Sequence, residues 1–334
     1  MITGCSREHC TQQENLSRCS RCLVVQYCSP AHQKEDWSSH KSICAKLKKA
    51  QDVVDKEEAE LRAHPGDMWM SANPFEDHEG MFWSISETRP YMRARYGVVD
   101  IQMTMDTQLA ISAALSNIMD MLRLCRGDNM GVRDIAPGLF LRLHRDQECY
   151  DFVKWWARVY SGEESKTYDW GDMSQPYLSI HNADVFEDVN LFDCGEYSEI
   201  STLLPIMLIK IRLLLDLRML HATPLYQRSN MRLGTDVIRN NATLLATQDR
   251  TPQIAEVEKQ IQQLYDAGCK ANKQTWLAVM NPEPIVKRPR PMMITPGGVD
   301  DLHLNLLYNY KAWGETRGAT EVLEEFVRRN AGRK

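Results

Sequence analysis

Residues 5–44 read CSREHCTQQENLSRCSRCLVVQYCSPAHQKEDWSSHKSIC, and the spacing of their cysteines and histidines decides how the chain begins. Cys5-x4-Cys10 is followed by Cys19-x2-Cys22, Cys28-x3-His32 and His40-x3-Cys44. A pair separated by two residues suits a tight knuckle whose backbone turns around one ion. Pairs separated by three or four suit a helical turn or a short loop. Together the four pairs supply enough donors to fill two tetrahedral Zn2+ sites, two ions per chain, with no coordination position left open. Closed sites of this kind hold structure together and leave no place for a substrate. His9 stands as an alternative to Cys10 in the first pair. So short a segment has too little apolar core to fold alone, and metal binding is expected to supply its folding energy.

The remaining cysteines, Cys125, Cys149, Cys194 and Cys269, are widely scattered and read as small buried side chains. Met1-Ile-Thr-Gly-Cys5-Ser-Arg-Glu contains no apolar run of the secretory-leader type. The clustered thiols are therefore expected to be metal ligands in a reducing compartment, the cytoplasm, the nucleus or both, and not a disulfide framework.

Arg18-Cys-Ser-Arg-Cys22, Gln26-Tyr-Cys28-Ser-Pro and Gln33-Lys-Glu-Asp-Trp37-Ser-Ser-His40-Lys-Ser-Ile-Cys44 follow one another in the order found in MYND zinc fingers, and the segment resembles that family. The resemblance covers little more than a tenth of the chain. It implies interleaved ligand pairs, with Cys5, Cys10, Cys28 and His32 on one zinc and Cys19, Cys22, His40 and Cys44 on the other. Two features depart from the family pattern: the first pair is spaced by four residues where two are usual, and His32 stands where a cysteine is usual. The family serves mainly in protein–protein interaction, and some of its fingers take short proline-rich peptides. The positions that match that mode are a strand at Leu23–Gln26, including Val25, and a groove near Gln33 and Trp37. An edge strand pairing with an extended peptide while an aromatic wall receives a proline ring is a sound physical mode of recognition.

Composition sets the outer limits. The chain has 334 residues, 43% apolar and 25% charged, which is ordinary for a globular protein of about two domains and excludes disordered, low-complexity and collagen-like classes. Its net charge of −5 hides a regional pattern: +3 over residues 1–48, −5 over 49–162, −9 over 163–199 and +6 over 200–334. Six thiolates and two zinc ions would bring the finger to about +1. Nucleic acid is not the expected partner, because its binders carry a phosphate-neutralising basic excess. The acidic stretch 163–199, with Tyr168, Trp170, Tyr177 and Phe186 among its carboxylates, reads as an inter-helical loop or a surface for a basic partner. Ile285-Val-Lys-Arg-Pro-Arg-Pro-Met292 reads as a linker or a short docking peptide.

After the finger, the run Ala45–Ala63 is charged and helix-favouring, and His64-Pro-Gly-Asp67 breaks it. The expected division is a finger at 1–48, a helical connector and irregular linker at 49–90, and an all-α domain at 91–334. In the last, 3.6-residue periodicity marks helices starting near Asp106, at 135–143 and 150–159, and at 198–221, 229–246, 252–268, 271–280, 299–313 and 317–330. Arg142–Asp151 has the character of a helix–helix junction. Helices of this length suggest a tetratricopeptide-like array, although no 34-residue consensus recurs. The whole chain resembles a fungal type of MYND protein with a degenerate helical-repeat body. Ile200–Leu220 approaches the length of a membrane span, but Lys210, Arg212, Asp216 and Arg218 interrupt it, so it is expected to be a core helix in water.

No catalytic signature emerges: there is no P-loop, no G-x-S-x-G elbow and no H-E-x-x-H helix. Gly162-Glu-Glu-Ser-Lys-Thr-Tyr168 resembles the closing element of the SET domain in SET-and-MYND lysine methyltransferases, but no other part of that domain is present. The expectation is a non-enzymatic, zinc-binding interaction scaffold of unknown oligomeric state. A divergent methyltransferase and a DNA-contacting regulator are the alternatives.

Overall fold

Ser29 ends the finger's second strand region and begins its helix: its backbone is extended, its hydroxyl accepts the His32 N–H, and Pro30 occupies the first turn, where no N–H is needed. The computed structural model describes residues 1–192, 199–224 and 231–331, and these fall into two compact units. The first comprises Met1–Leu139 with Asp169–Gln175, and the second Phe140–Tyr168 with Pro176–Lys334. The expected boundaries at 48/49 and 90/91 are therefore not where the units part. The reason is α1, which runs unbroken over Pro30–Arg62 and carries the finger into the body.

In the first unit, β1 (Ser17–Arg18) pairs antiparallel with β2 (Gln26–Tyr27), Ser17 opposite Tyr27 and Arg18 opposite Gln26. The charged connector expected after Cys44 has an apolar edge, because His40, Cys44, Leu47, Val54 and Leu61 are buried at helical spacing. That stripe packs on α3 (Arg89–Thr104), after the single turn α2 (Pro74–Asp77), and α3 in turn packs on α4 (Gln108–Leu124). Arg95 of α3 reaches Asp120 and Asn117 of α4. Phe75, Phe82 and Tyr91 form one aromatic cluster with ring centroids 5.1–6.1 Å apart, so the linker expected between 64 and 90 is packed. At the other end Ile2 and Thr107 form a parallel bridge, and the Thr107 hydroxyl donates to the Val24 carbonyl at 2.5 Å.

The second unit is built around α7 (Ile200–Ala222). The unit boundary falls within α5 (Ala136–Arg142), and α6 (Asp146–Trp156) follows after the junction anticipated at 142–151, where His144 turns the chain with φ 55°. Beyond α7 come the short α8 (Asp236–Arg239) and α9 (Ala242–Ala246), then α10 (Thr251–Ala271), α11 (Thr275–Met280), α12 (Glu283–Val286), α13 (Val299–Gly314) and α14 (Ala319–Asn330). The single helix expected at 229–246 is thus two one-turn pieces, started separately by the Thr235 and Asn241 side chains, with residues 229–230 outside the described ones.

α7 is apolar nearly all round and contacts α6, α10, α13 and α14. The second unit is thus a mostly helical body, and these contacts do not establish the stacking of successive pairs that defines a tetratricopeptide-like array. Among the described residues no helix is long and apolar enough to cross a membrane. The charges that interrupt α7 are instead satisfied inside the unit. Lys210 Nζ donates to the Val185 carbonyl at 2.5 Å and Gln260 Oε1 at 2.7 Å, Arg212 meets Asp146 at 2.8 Å, and Asp216 accepts from the Gly234 and Thr235 N–H groups at 2.8 Å.

The acidic stretch is partly internal too. Val185, Val189 and Phe192 are buried, and Glu187 accepts from Tyr150 and Lys154 at 2.7 Å; residues 193–198, with Cys194, lie outside the described ones. Cys125 and Cys149 are buried as expected, whereas Cys269 is half-buried. Trp155 and Trp156 are buried in an aromatic cluster, and Gly162–Tyr168 forms short helical turns with no sheet around it among the described residues.

Arg212 is the side chain on which the centre of this unit turns, since it also donates to the Leu141 carbonyl and Thr316. Arg212→Ala leaves Asp146 buried without its cation, and the expected loss of stability is about 3–5 kcal/mol. Urea unfolding monitored in the second unit measures it, and a loss below about 1 kcal/mol contradicts the assignment.

Candidate metal centre

The eight predicted ligands come together as two groups, Cys5, Cys10, Cys28 and His32 in one and Cys19, Cys22, His40 and Cys44 in the other. Within each group all ligand atoms lie within 4.8 Å of one another. A tetrahedral zinc with bonds of about 2.3 Å to sulfur and about 2.05 Å to nitrogen has S···S edges of about 3.8 Å and S···N edges of about 3.6 Å. In the first group Cys10 and Cys28 sulfurs are 3.9 Å apart and Cys5 lies 3.5 Å from His32 Nδ1. In the second, Cys19 and Cys44 are 3.9 Å apart and Cys22 lies 3.6 Å from His40 Nε2. Both tetrads therefore have the size of a closed zinc site, and the chain fits two zinc ions.

Local structure places each donor. Cys19 and Cys22 form the knuckle: the Leu23 N–H donates to the Cys19 carbonyl at 2.9 Å, with Leu23 in the left-handed region at φ 62°. His32, His40 and Cys44 rise from the first turns of α1, the last two a single helical turn apart. Cys5 and Cys10 sit on a loop closed by the Cys5 N–H to the Gln12 carbonyl at 2.8 Å. Gly4 is needed there, because a Cβ would come within 2.5 Å of that carbonyl. The ambiguity between His9 and Cys10 resolves to Cys10. The longer first pair turns at His9, φ 62°, and sends its imidazole into solvent with 88% of the side chain exposed.

The thiols also need a cation on electrostatic grounds. Burial, then the Cys5 and Cys10 sulfurs beside it, push Cys28 up to about 11; burial, then the charges of Cys22 and Cys19, push Cys44 up to about 12. Three sulfurs so close cannot all be thiolates at neutral pH unless a positive ion sits among them. At Cys19 burial is outweighed by the N–H groups of Cys22 and Arg21, which favour the thiolate. Burial lowers His40, leaving its ring neutral and its lone pair available.

The partner-binding positions expected from the sequence are dispersed. Leu23 is 58% exposed and Trp37 38%, and Gln33 is half-buried, but Val25 is buried in the core. The strand lies at Gln26–Tyr27 and not at Leu23–Gln26, because Leu23 is committed to the knuckle turn. Gln26 is itself engaged: its side chain donates to the Thr3 carbonyl at 3.1 Å and its own carbonyl accepts from Ser6 at 2.8 Å. Tyr27 was not singled out by spacing. Its hydroxyl donates to Asp36 at 2.6 Å, and its ring meets His40 edge-on, as does that of Trp37.

The family model for the MYND finger matches residues 5–44, the span that holds all eight ligands, and this segment is a MYND zinc finger. Among curated proteins, the Rho GTPase-activating protein gacZ of Dictyostelium discoideum is 40% identical over 47 residues, 14% of this chain and 4% of that protein. Human Egl nine homolog 1 is 51% identical over 37 residues, 11% of this chain and 9% of that protein, and its mouse counterpart is 49% identical over the same length. The chain thus spans less than a tenth of the length of these curated relatives. No solved structure matches it.

Metal analysis of the purified chain is expected to give two zinc per molecule, and one or none contradicts the two tetrads. Protons compete with zinc for the sulfurs, so the metal held at neutral pH is released as pH falls. A chelator-linked absorbance titration follows that release, and zinc retention independent of pH would count against thiolate ligation.

Proposed function

We propose that this chain is a zinc-stabilised interaction scaffold whose finger takes a proline-rich segment of a partner protein, while the helical body carries further contacts. A MYND finger is a zinc-binding protein-interaction module, which supports the first part of this reading. In it the chain works in the cytoplasm or nucleus and performs no catalytic step of its own.

The observation that carries it is the open edge of the hairpin. In an antiparallel pair the peptide groups of Arg18 and Gln26, lying between bonded pairs, point outward. On the β2 side the Ser6 N–H already meets the Gln26 carbonyl, whereas Ser17 and Arg18 of β1 are exposed. An extended peptide therefore adds to β1, not to the Leu23–Gln26 segment. A proline-rich strand suits such an edge, since its missing N–H groups are tolerated on the solvent side. Trp37, packed on the zinc ligand His40 and still partly exposed, supplies a fixed aromatic face, and Leu23 and Gln33 offer apolar and amide contacts.

The test is a calorimetric and NMR titration of the full chain with a panel of short proline-rich peptides. Binding peptides are expected to shift resonances of Arg18, Leu23 and Gln33. Trp37→Ala is expected to weaken binding about tenfold or more, ~1.4 kcal/mol, at unchanged zinc content. Failure of every peptide to bind, or binding indifferent to Trp37→Ala, overturns the proposal.

A further inference from the structure

The two zinc sites are not equally sheltered. In the second, Cys19, Cys22, His40 and Cys44 are all buried, and the Tyr27 and Trp37 rings pack against the imidazole. In the first only Cys5 is buried, while Cys10, Cys28 and His32 are partly exposed. A groove of about 380 Å³ opens beside it, and its lining runs along the N-terminal loop through Ser6, Arg7 and Cys10. The wide spacing of Cys5 and Cys10 makes this loop, and Cys10 at its end is partly exposed.

We infer that Cys10 and Cys28 form a hydroperoxide-reactive pair whose oxidation releases the first zinc and spares the second. Oxidation of cysteine follows thiolate character together with access, and metal ligation supplies the first while the groove supplies the second. The Cys10 thiolate attacks one peroxide oxygen, the O–O bond breaks, hydroxide leaves and Cys10 becomes a sulfenic acid. The Cys28 thiolate, 3.9 Å away, then attacks that sulfur and displaces a second hydroxide. Two thiolates have lost two electrons to one peroxide, and the product is a Cys10–Cys28 disulfide. Closing the gap to a bond of about 2.05 Å moves the sulfurs about 2 Å, within reach of side-chain rotation and a small loop shift. With Cys10 and Cys28 tied to each other, only Cys5 and His32 of the four donors would remain to hold a zinc ion at this site. The N-terminal loop then keeps its Arg7–Glu35 ion pair at 2.7 Å, exposed at both ends, but loses its metal anchor.

The experiment treats the full zinc-loaded chain with hydrogen peroxide and follows three readouts: zinc by native mass spectrometry, disulfides by peptide mapping, and trypsin cleavage at Arg7. Expected are a one-zinc species, a Cys10–Cys28 disulfide, thiols still intact at Cys19, Cys22 and Cys44, and faster cleavage at Arg7. Dithiothreitol with added zinc restores the two-zinc form. Loss of both ions together, prior loss from the second site, or one-zinc protein without the Cys10–Cys28 link overturns the inference. Cys10→His keeps a zinc donor and removes one partner of the disulfide, so its peroxide-driven zinc loss is expected to be at least about tenfold slower. Zinc loss as fast as in the unaltered chain contradicts the assignment. If Cys10→His holds a single zinc from the start, the mapping on the unaltered chain alone decides. None of these results bears on peptide binding at the hairpin edge, so the two proposals stand or fall separately.

Discussion

Metal coordination gathers three pieces of chain: the loop carrying Cys5 and Cys10, the knuckle carrying Cys19 and Cys22, and the start of α1 with Cys28 just before it. Because the pairs interleave, neither site is complete until distant parts of the finger have met. α1 is common to both, bearing His32 for one ion and His40 with Cys44 for the other. Its orientation is thereby fixed from its first turns. The same helix then offers Leu47, Val54 and Leu61 to α3, so the constraint imposed at the metal sites extends into the packing of the first unit.

The second unit rests on a different balance. α7 buries Lys210, Arg212 and Asp216, and each charge is met by carbonyls, hydroxyls or an opposite charge from segments far away in sequence. Buried charges cost free energy when unpaired and contribute most to specificity when every partner is in place. Here they tie the α7 core to the 183–187 stretch, to α6 and to the Gly234–Thr235 turn. The acidic character of 163–199 is accordingly used in part inside the unit, at Glu187, and not wholly for a partner.

How much of this was legible in the sequence depended on the kind of constraint. The eight zinc ligands were readable because coordination chemistry fixes residue type and spacing together. The break after α1 was readable at His64-Pro, and the α4, α7, α10 and α13 helices were readable from their periods. Cys10 over His9 followed from the family resemblance and not from spacing; its physical basis is the left-handed turn at His9 that throws its ring outward. The strand was misplaced by a few residues because the positive φ of Leu23 belongs to the knuckle, and local composition does not reveal it. Periodicity over 229–246 hid two capping side chains, Thr235 and Asn241, that start separate turns. A repeat array presumes that neighbours in sequence are neighbours in space, which helix lengths alone do not determine.

The central claim, that two zinc ions hold the finger and through α1 its junction with the body, is tested most directly by amide hydrogen exchange on the full chain before and after chelation. The account predicts that protection over residues 17–27 and the first turns of α1 collapses when both ions are removed, while α7 and α10 keep theirs. Protection of the hairpin and the start of α1 that survives complete zinc removal would contradict it.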